Sequence, residues 1–190
     1  MVYDEELIKD IIEDLGDSEP DKLVLFILHY RNRPVLRTRM QKEALIYNQA
    51  YTDRKEHEAY YFGGYSDDID ESYSTLSDTG MIKNSNMGMK LTSFGSEVIT
   101  QMIEEKKDNG MSKNTELMEK SIGSVDDKSL VAITYHLFPK LAKESTIANS
   151  INPIIDSLLL NGKPLKEWNE DLFLECVRAG TIITVKRCTQ

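Results

Sequence analysis

A short acidic stretch carries the residues whose chemistry is the most direct to interpret. Asp67, Asp68, Asp70 and Glu71 lie in "DDIDES", at the start of a predicted helix. Carboxylates at this density can bind a cation, attract a basic protein or repel phosphate groups. The spacing lacks the glycine and terminal glutamate of a calcium-binding loop, which leaves a weak magnesium site as the metal alternative. We favour a basic protein partner and predict no resident metal.

A basic cluster precedes the acidic stretch. The planar fork of arginine suits contact with phosphate or carboxylate groups. A solvated surface, or pairing with the acidic excess of the chain, is the favoured interpretation, because a run of charges is usually a solvated face. The alternative is contact with duplex DNA or an acidic partner. The residues predicted for DNA contact are Arg31, Arg33, Arg37, Arg39 and Lys42, together with Lys83 and Lys90 of a predicted hairpin.

The remaining reactive side chains do not form a recognised catalytic motif. His29, His57 and His136 are far apart in the sequence, and we expect His29 and His136 to be packed or hydrogen-bonded. Cys176 and Cys188 have neither metal-binding spacing nor a redox-pair motif. The sequence also lacks a Gly-x-Ser-x-Gly elbow and a phosphate-binding Gly-Lys-Ser/Thr loop. We therefore predict that the chain is not an enzyme and takes no cofactor.

An aromatic segment, "YYFGGYS", lies just before the acidic stretch. We expect Tyr60, Tyr61, Phe62 and Tyr65 to fill the core against the preceding helix. If part of the segment is exposed instead, it becomes a binding anchor, because tyrosine is enriched in interface hot spots. Tyr65 is therefore grouped with the four acidic residues as the predicted partner-binding set.

The composition limits the classes of partner. The chain has 190 residues, 29% of them charged, with a net charge of −9 and a pI near 4.9. Such a chain repels nucleic acid at long range, so DNA binding would need a local basic patch. No apolar run approaches the roughly 20 residues of a membrane span, and the opening resembles neither a signal nor a transit peptide. We predict no membrane contact and a cytoplasmic location.

Hydrophobic periodicity and turn residues predict the elements that position these side chains. Helical stripes precede the aromatic segment, a short helix carries the acidic cluster, and "MIKNSNMGMKLT" predicts a hairpin. A helix follows it, opened by Thr92 or Ser93. Beyond the polar stretch "EEKKDNGMSKN", further helices are predicted, including one in "NPIIDSLLLNG" that starts near Pro153 and exits at Asn161–Gly162, and a terminal strand in "TIITV".

Four stretches in this order resemble prokaryotic winged-helix proteins related to the Panacea-type antitoxin domain. They are "RMQKEAL", "YYFGGYS", the pair "LSDTGMI" and "KLTSFG", and "YHLFPKLAKES". Gly64 stands where those proteins have proline. The resemblance covers roughly residues 21–145 and implies a helical core with a wing, and a regulatory or toxin-neutralising role. It implies no catalytic residues.

We therefore predict a mainly α protein, with a winged helix-turn-helix core and small β wing in residues 1–108 and a C-terminal helical extension in residues 109–190. In a winged helix, the helix before the wing usually enters the DNA major groove. Acidic side chains on that helix oppose this docking, because binding depends on phosphate neutralisation. The predicted function is regulation mainly through protein contact, antitoxin-like. A DNA-binding transcriptional regulator is the alternative, and a homodimer formed through the C-terminal segment stays open.

Overall fold

Helices dominate the computed structural model, which describes residues 3–16, 18–53 and 57–188, and two small antiparallel sheets complete it. The predicted mainly α class is confirmed at this level. The chain packs as two compact units, Met1–Met40 with Asp67–Thr115, and Gln41–Ser66 with Glu116–Gln190. The predicted division at residue 108 stays a prediction, since packing alone does not define a domain.

The first unit contains a helical core and a hairpin. Its elements are α1 (Glu5–Leu15), α2 (Glu19–Arg31), the start of α3 (Arg37–Tyr51), α4 (Asp67–Asp78), β1 (Ile82–Ser85), β2 (Gly88–Leu91), α5 (Ser93–Glu104) and the start of α6 (Met111–Ile122).

Helix α2 is the centre of this unit, and it packs against α4, α5 and β2. Apolar residues surround it, and all residues from Leu23 to Leu28 are buried. The helix begins at Glu19, two residues before Asp21. The Ser18 hydroxyl donates to the Asp21 carboxylate at 2.7 Å, so Asp21 stabilises the helix start from inside the first turn.

The hairpin follows α4 directly, as predicted. Strand β1 pairs with β2 in antiparallel register. Val35 adds a third, single-residue bridge, because its N–H donates to the Met89 carbonyl at 2.8 Å and its carbonyl accepts from the Met89 N–H at 2.9 Å. Thr92 then caps α5 by accepting a hydrogen bond from the Gly95 N–H at 3.1 Å. The α4 end, the hairpin and the α5 start are therefore fixed by backbone bonds.

The second unit contains most of the C-terminal helices and a three-stranded sheet. Its elements are the rest of α3 and α6, α7 (Asp127–Leu137), α8 (Pro139–Ala142), α9 (Ala148–Ser157), β3 (Leu158–Leu160), β4 (Lys163–Pro164), a 3-10 turn (Leu165–Glu167), α10 (Glu170–Arg178) and β5 (Val185–Arg187).

Two predictions for this unit are wrong in detail. Helix α9 starts at Ala148, so Pro153 lies inside the helix and not in its first turn. The residues Leu158–Leu160 form a strand between β4 and β5, and Asn161–Gly162 is the turn of a β hairpin. Both turn residues have positive φ, the conformation that favours Asn-Gly in two-residue hairpins. The predicted terminal strand overlaps β5 only at Val185.

Candidate functional site

Helix α4 presents the acidic cluster as predicted. Ile69, Tyr73 and Leu76 are buried, so this stripe sets the orientation of the helix. The opposite side therefore exposes carboxylates, and the exposed ones are Asp67, Asp68, Glu71 and Asp78. The three near the start suit the positive end of the helix dipole. Asp78 lies in the last turn, where α4 has no basic residue.

Asp70 has a different role from the other acids, because it pairs with Arg37. The Arg37 Nε lies 2.6 Å from the Asp70 Oδ1. The guanidinium also lies over the Tyr73 ring, 5.0 Å from the ring centroid, a cation–π geometry. Arg37, a DNA contact only in the alternative interpretation of the basic cluster, is therefore held against α4 by a carboxylate and an aromatic ring. Its pairing with Asp70 agrees with the favoured interpretation, in which the cluster is solvated or pairs with the acidic excess of the chain.

The two faces of the hairpin differ in chemistry. Lys83 lies directly opposite Lys90, and both are exposed. Asn84 lies opposite Met89 in the same register. Because successive side chains of a strand point to opposite faces, the lysine pair and the Asn84–Met89 pair are on different faces.

A groove of about 550 Å³ lies between α4 and the hairpin. Its walls are mostly polar. The lining residues are Arg37, Tyr73, Ser74, Ser77, Asp78, Asn84, Gly88 and Met89. The groove was not predicted from the sequence. Two sequence patterns bear on its lining. Helical spacing places Ser74 and Ser77 on one side of α4, and strand alternation in the hairpin places Asn84 and Met89 on one face.

Three residues predicted for DNA contact are not on the surface. Arg31, Arg39 and Lys42 are buried. The predicted basic surface is therefore smaller than expected, because Arg33, Arg37, Lys83 and Lys90 are the exposed members of the predicted set. For Lys42 the physical reason is that α3 is buried on nearly all sides after its first turn, so its polar residues are enclosed along with its apolar ones. Arg31 is the last residue of α2, which is buried along most of its length.

Lys42 shows how a buried cation is accommodated in that unit. Its side chain is 2% exposed, and its Nζ donates to the Gly64 carbonyl at 2.9 Å. It also lies 6.0 Å from the centroid of the Tyr135 ring. Burial lowers the pKa of Lys42 to about 8. Burial, and then the charge of Lys42, lowers the pKa of the neighbouring His57 to about 4.

The aromatic segment is more exposed than expected. Tyr60, Tyr61 and Phe62 are each about half exposed, so the expectation that they fill the core is wrong. Tyr65 is half-buried, and its ring stacks on Tyr60 with the centroids 4.8 Å apart. The structure therefore leaves open the alternative interpretation of the segment as a binding anchor.

Backbone hydrogen bonds hold this segment in place. Glu58 and Tyr65 exchange two bonds, at 2.8 and 3.0 Å. The Tyr61 carbonyl accepts from the Ser145 hydroxyl at 3.0 Å and from the Thr146 N–H at 3.1 Å. These hydrogen bonds fix the turn from which the exposed rings project.

The histidines and cysteines contribute to no metal-binding group in the part of the chain that the structure describes. No group of three or more His, Cys, Asp or Glu residues there could hold a metal ion. Burial lowers the pKa of His29, and the His136 Nε2 lies 3.1 Å from the Trp168 carbonyl. This agrees with the packed and hydrogen-bonded roles predicted for these two side chains. Cys176 and Cys188 are both free thiols.

None of the helices in the described residues is both long and apolar enough to cross a membrane. Comparison of the chain with family models, with curated proteins and with solved structures found no match.

Proposed function

We propose that this chain is a non-enzymatic, winged-helix regulatory protein, and that it acts mainly by protein contact through the outer face of α4. The partner surface is basic. An antitoxin-like role, in which the contact suppresses the activity of the partner, follows from the family resemblance and is part of the proposal.

The element order supports the winged-helix assignment. Helix α2 is followed by the Val35 bridge, α3, α4, the β1–β2 hairpin and α5. In this assignment the hairpin is the wing, Val35 is a minimal third strand beside it, and α4 is the helix that precedes the wing. That helix is the usual recognition element of winged-helix proteins.

The charge of α4 is the observation that carries the proposal. The helix contains no Lys, Arg or His. Four carboxylates are exposed on it, at Asp67, Asp68, Glu71 and Asp78. The adjacent exposed cation, Arg37, is already paired with Asp70. Such a surface repels phosphates and accelerates encounters with a basic protein.

The lysine pair of the hairpin favours duplex DNA as a second candidate partner. Like charges directly opposite each other on a hairpin are destabilising, so Lys83 opposite Lys90 suits a surface that meets an anion. The phosphate backbone of DNA is one such anion. In this alternative the wing contacts DNA together with Arg33 and Arg37, the exposed arginines of the basic cluster, and α4 does not enter the groove.

Fluorescence anisotropy with two labelled probes separates the candidates. The probes are a hexa-arginine peptide and a random-sequence duplex, each titrated at low and moderate salt. The test variant is Asp67→Asn/Asp68→Asn/Glu71→Gln. The control variant, Glu170→Gln/Asp171→Asn/Glu175→Gln, removes three exposed carboxylates from α10, two of them also from a first helical turn.

We expect the α4 variant to lose about tenfold in affinity for the peptide, or about 1.4 kcal/mol, and the α10 variant to lose much less. Equal losses in both variants contradict a site on α4 and indicate attraction by net charge alone. If the duplex binds, and Lys83→Gln/Lys90→Gln removes that binding, the DNA candidate replaces the protein candidate.

A further inference from the structure

The groove between α4 and the hairpin offers a more specific contact than the outer face of the helix. We propose that it receives an arginine or lysine side chain of the basic partner. This inference rests on the proposed function, and it names the chemical group that anchors the contact.

The end of α4 is the negative part of the groove. The carboxyl end of a helix carries a partial negative charge, and a cation there is stabilising. Helix α4 has no basic residue in its last turn and instead has Asp78, which lines the groove. An incoming cation would therefore meet both a carboxylate and the helix dipole.

Hydroxyl groups in the groove are available to a ligand. The hydroxyls of Ser72, Thr75 and Thr79 donate to carbonyls of their own helix, at 2.9, 3.4 and 3.0 Å. In the described structure, the side chains of Ser74 and Ser77 make no such bond, and both line the groove. Together with the Asn84 amide, they supply acceptors for the N–H groups of a guanidinium or ammonium.

The floor of the groove suits the aliphatic part of the same side chain. Tyr73 and Met89 are largely buried side chains that line it. The Arg37 guanidinium already lies over the Tyr73 ring, so the apolar contact depends mainly on Met89. Arginine and lysine pack their methylene stems on apolar surface while the charged head stays with polar groups. The volume of about 550 Å³ is within the range of about 300–1,000 Å³ that ligand clefts occupy.

Arg37 is the one feature of the groove that opposes a cation. Its charge is countered by Asp70 at 2.6 Å, and its guanidinium is held over Tyr73. Arg37 and Asp78 are the charged residues that line the groove. Because Asp70 neutralises Arg37, an incoming side chain meets mainly the negative charge of Asp78. A phosphate-bearing ligand would instead compete with Asp70 for Arg37, and the experiment below includes that outcome.

Proton–nitrogen correlation NMR of the full chain, titrated with the hexa-arginine peptide, tests the inference. A peptide with citrulline in place of arginine keeps the shape and removes the charge. We expect the amide signals of Ser74, Ser77, Asn84 and Met89 to shift with the arginine peptide and not with the citrulline peptide. Two variants should each weaken binding about three- to tenfold: Asp78→Asn removes the charge, and Ser77→Leu fills the groove while keeping every charge. Asp14→Asn, which removes an exposed carboxylate from the last turn of α1, is the matched control for Asp78→Asn.

The outcomes distinguish this inference from the proposed function. If the peptide binds through Asp67, Asp68 and Glu71 but leaves the groove signals unchanged, the groove inference fails and the proposed function stands. If the peptide does not bind the chain at all, both fail. If inorganic phosphate shifts the groove signals and the arginine peptide does not, the groove is an anion site and the inference is wrong.

Discussion

Arg37 and Lys42 belong to the same helix and to the same basic cluster in the sequence, yet they have opposite environments. The Arg37 side chain is 60% exposed and pairs with a carboxylate. The Lys42 side chain is buried and donates to a backbone carbonyl. Cations that cluster in the sequence therefore form a basic surface only if each of them lies on an exposed face of its helix.

The two environments have different energetic consequences. An ion pair such as Arg37–Asp70, in which the arginine is mostly exposed, contributes about 0–1 kcal/mol, because water already solvates the guanidinium. A buried cation loses its hydration, so its stability depends on the partners that replace water. The lowered pKa of Lys42 results from this loss of hydration. Changes around Lys42 should therefore affect stability far more than changes around Arg37.

The largest effect is expected at Gly63, which lies against Lys42. Gly63 has a φ of +81°, and a Cβ there would lie 2.5 Å from the Tyr135 Cε1 and 3.1 Å from the Lys42 Nζ. Gly63→Ala would introduce backbone strain and also an overlap of the new Cβ with the packed Tyr135 ring. We therefore expect a loss of about 3 kcal/mol in the free energy of unfolding. Urea denaturation with an unchanged m-value measures it.

Gly80 provides the matched control for this substitution. Its φ is +73°, but a Cβ there would meet nothing within 4 Å. Gly80→Ala should therefore cost only the backbone strain, about 1 kcal/mol. If the two variants lose equal stability, the packing around Lys42 is looser than the structure indicates, and the contrast between the two regions weakens.

Local patterns in the sequence were sufficient to predict the α4 region. The buried stripe of Ile69, Tyr73 and Leu76, the hairpin and the Thr92 cap each depend on residues close together in the chain. The groove follows from these elements, although its lining was not predicted.

Non-local partners explain what the sequence did not predict. Gln41 is buried because its side-chain amide both donates to and accepts from the backbone of Ser66, at 3.0 and 2.9 Å. Lys42 is buried for a similar reason, through the carbonyl of Gly64. The strand Leu158–Leu160 depends on its pairing with β5. A short apolar run is compatible with helix or strand until such a partner is known.

The pH dependence of stability should identify Lys42 as a buried cation. The pKa is about 8 in the folded chain and 10.5 in its ordinary environment. Between these values the unfolded chain binds more protons than the folded chain, so stability rises with pH. We expect the wild type to gain roughly 1–2 kcal/mol relative to Lys42→Met between about pH 8 and about pH 9.5.

Urea denaturation of the two proteins at several pH values in this window measures the difference. Lys42→Met keeps the length of the side chain and removes its charge. His57 does not contribute, because its pKa is about 4 and it is neutral throughout the window. A constant difference between the two proteins would mean that Lys42 is solvated like an ordinary surface lysine.

The smallest effect is expected at Arg37, and it tests the surface half of the comparison. A double-mutant cycle of Arg37→Gln and Asp70→Asn should give a coupling energy of about 0.5 kcal/mol, because the arginine is mostly exposed. A coupling above about 2 kcal/mol would place the pair with buried ion pairs and remove the contrast with Lys42.

The Arg37→Gln variant also tests function in the two binding assays. Arg37→Gln leaves α4 and the groove more negative, so affinity for the hexa-arginine peptide should rise about two- to threefold, a change of less than 1 kcal/mol. A DNA-contacting Arg37 would instead lose duplex affinity when replaced, since each phosphate contact contributes through its charge. Arg37→Gln is thus expected to raise the affinity for the peptide if the partner is a basic protein, and to lower the affinity for the duplex if the partner is DNA. Because the two changes have opposite signs, even a small effect distinguishes the two candidate functions.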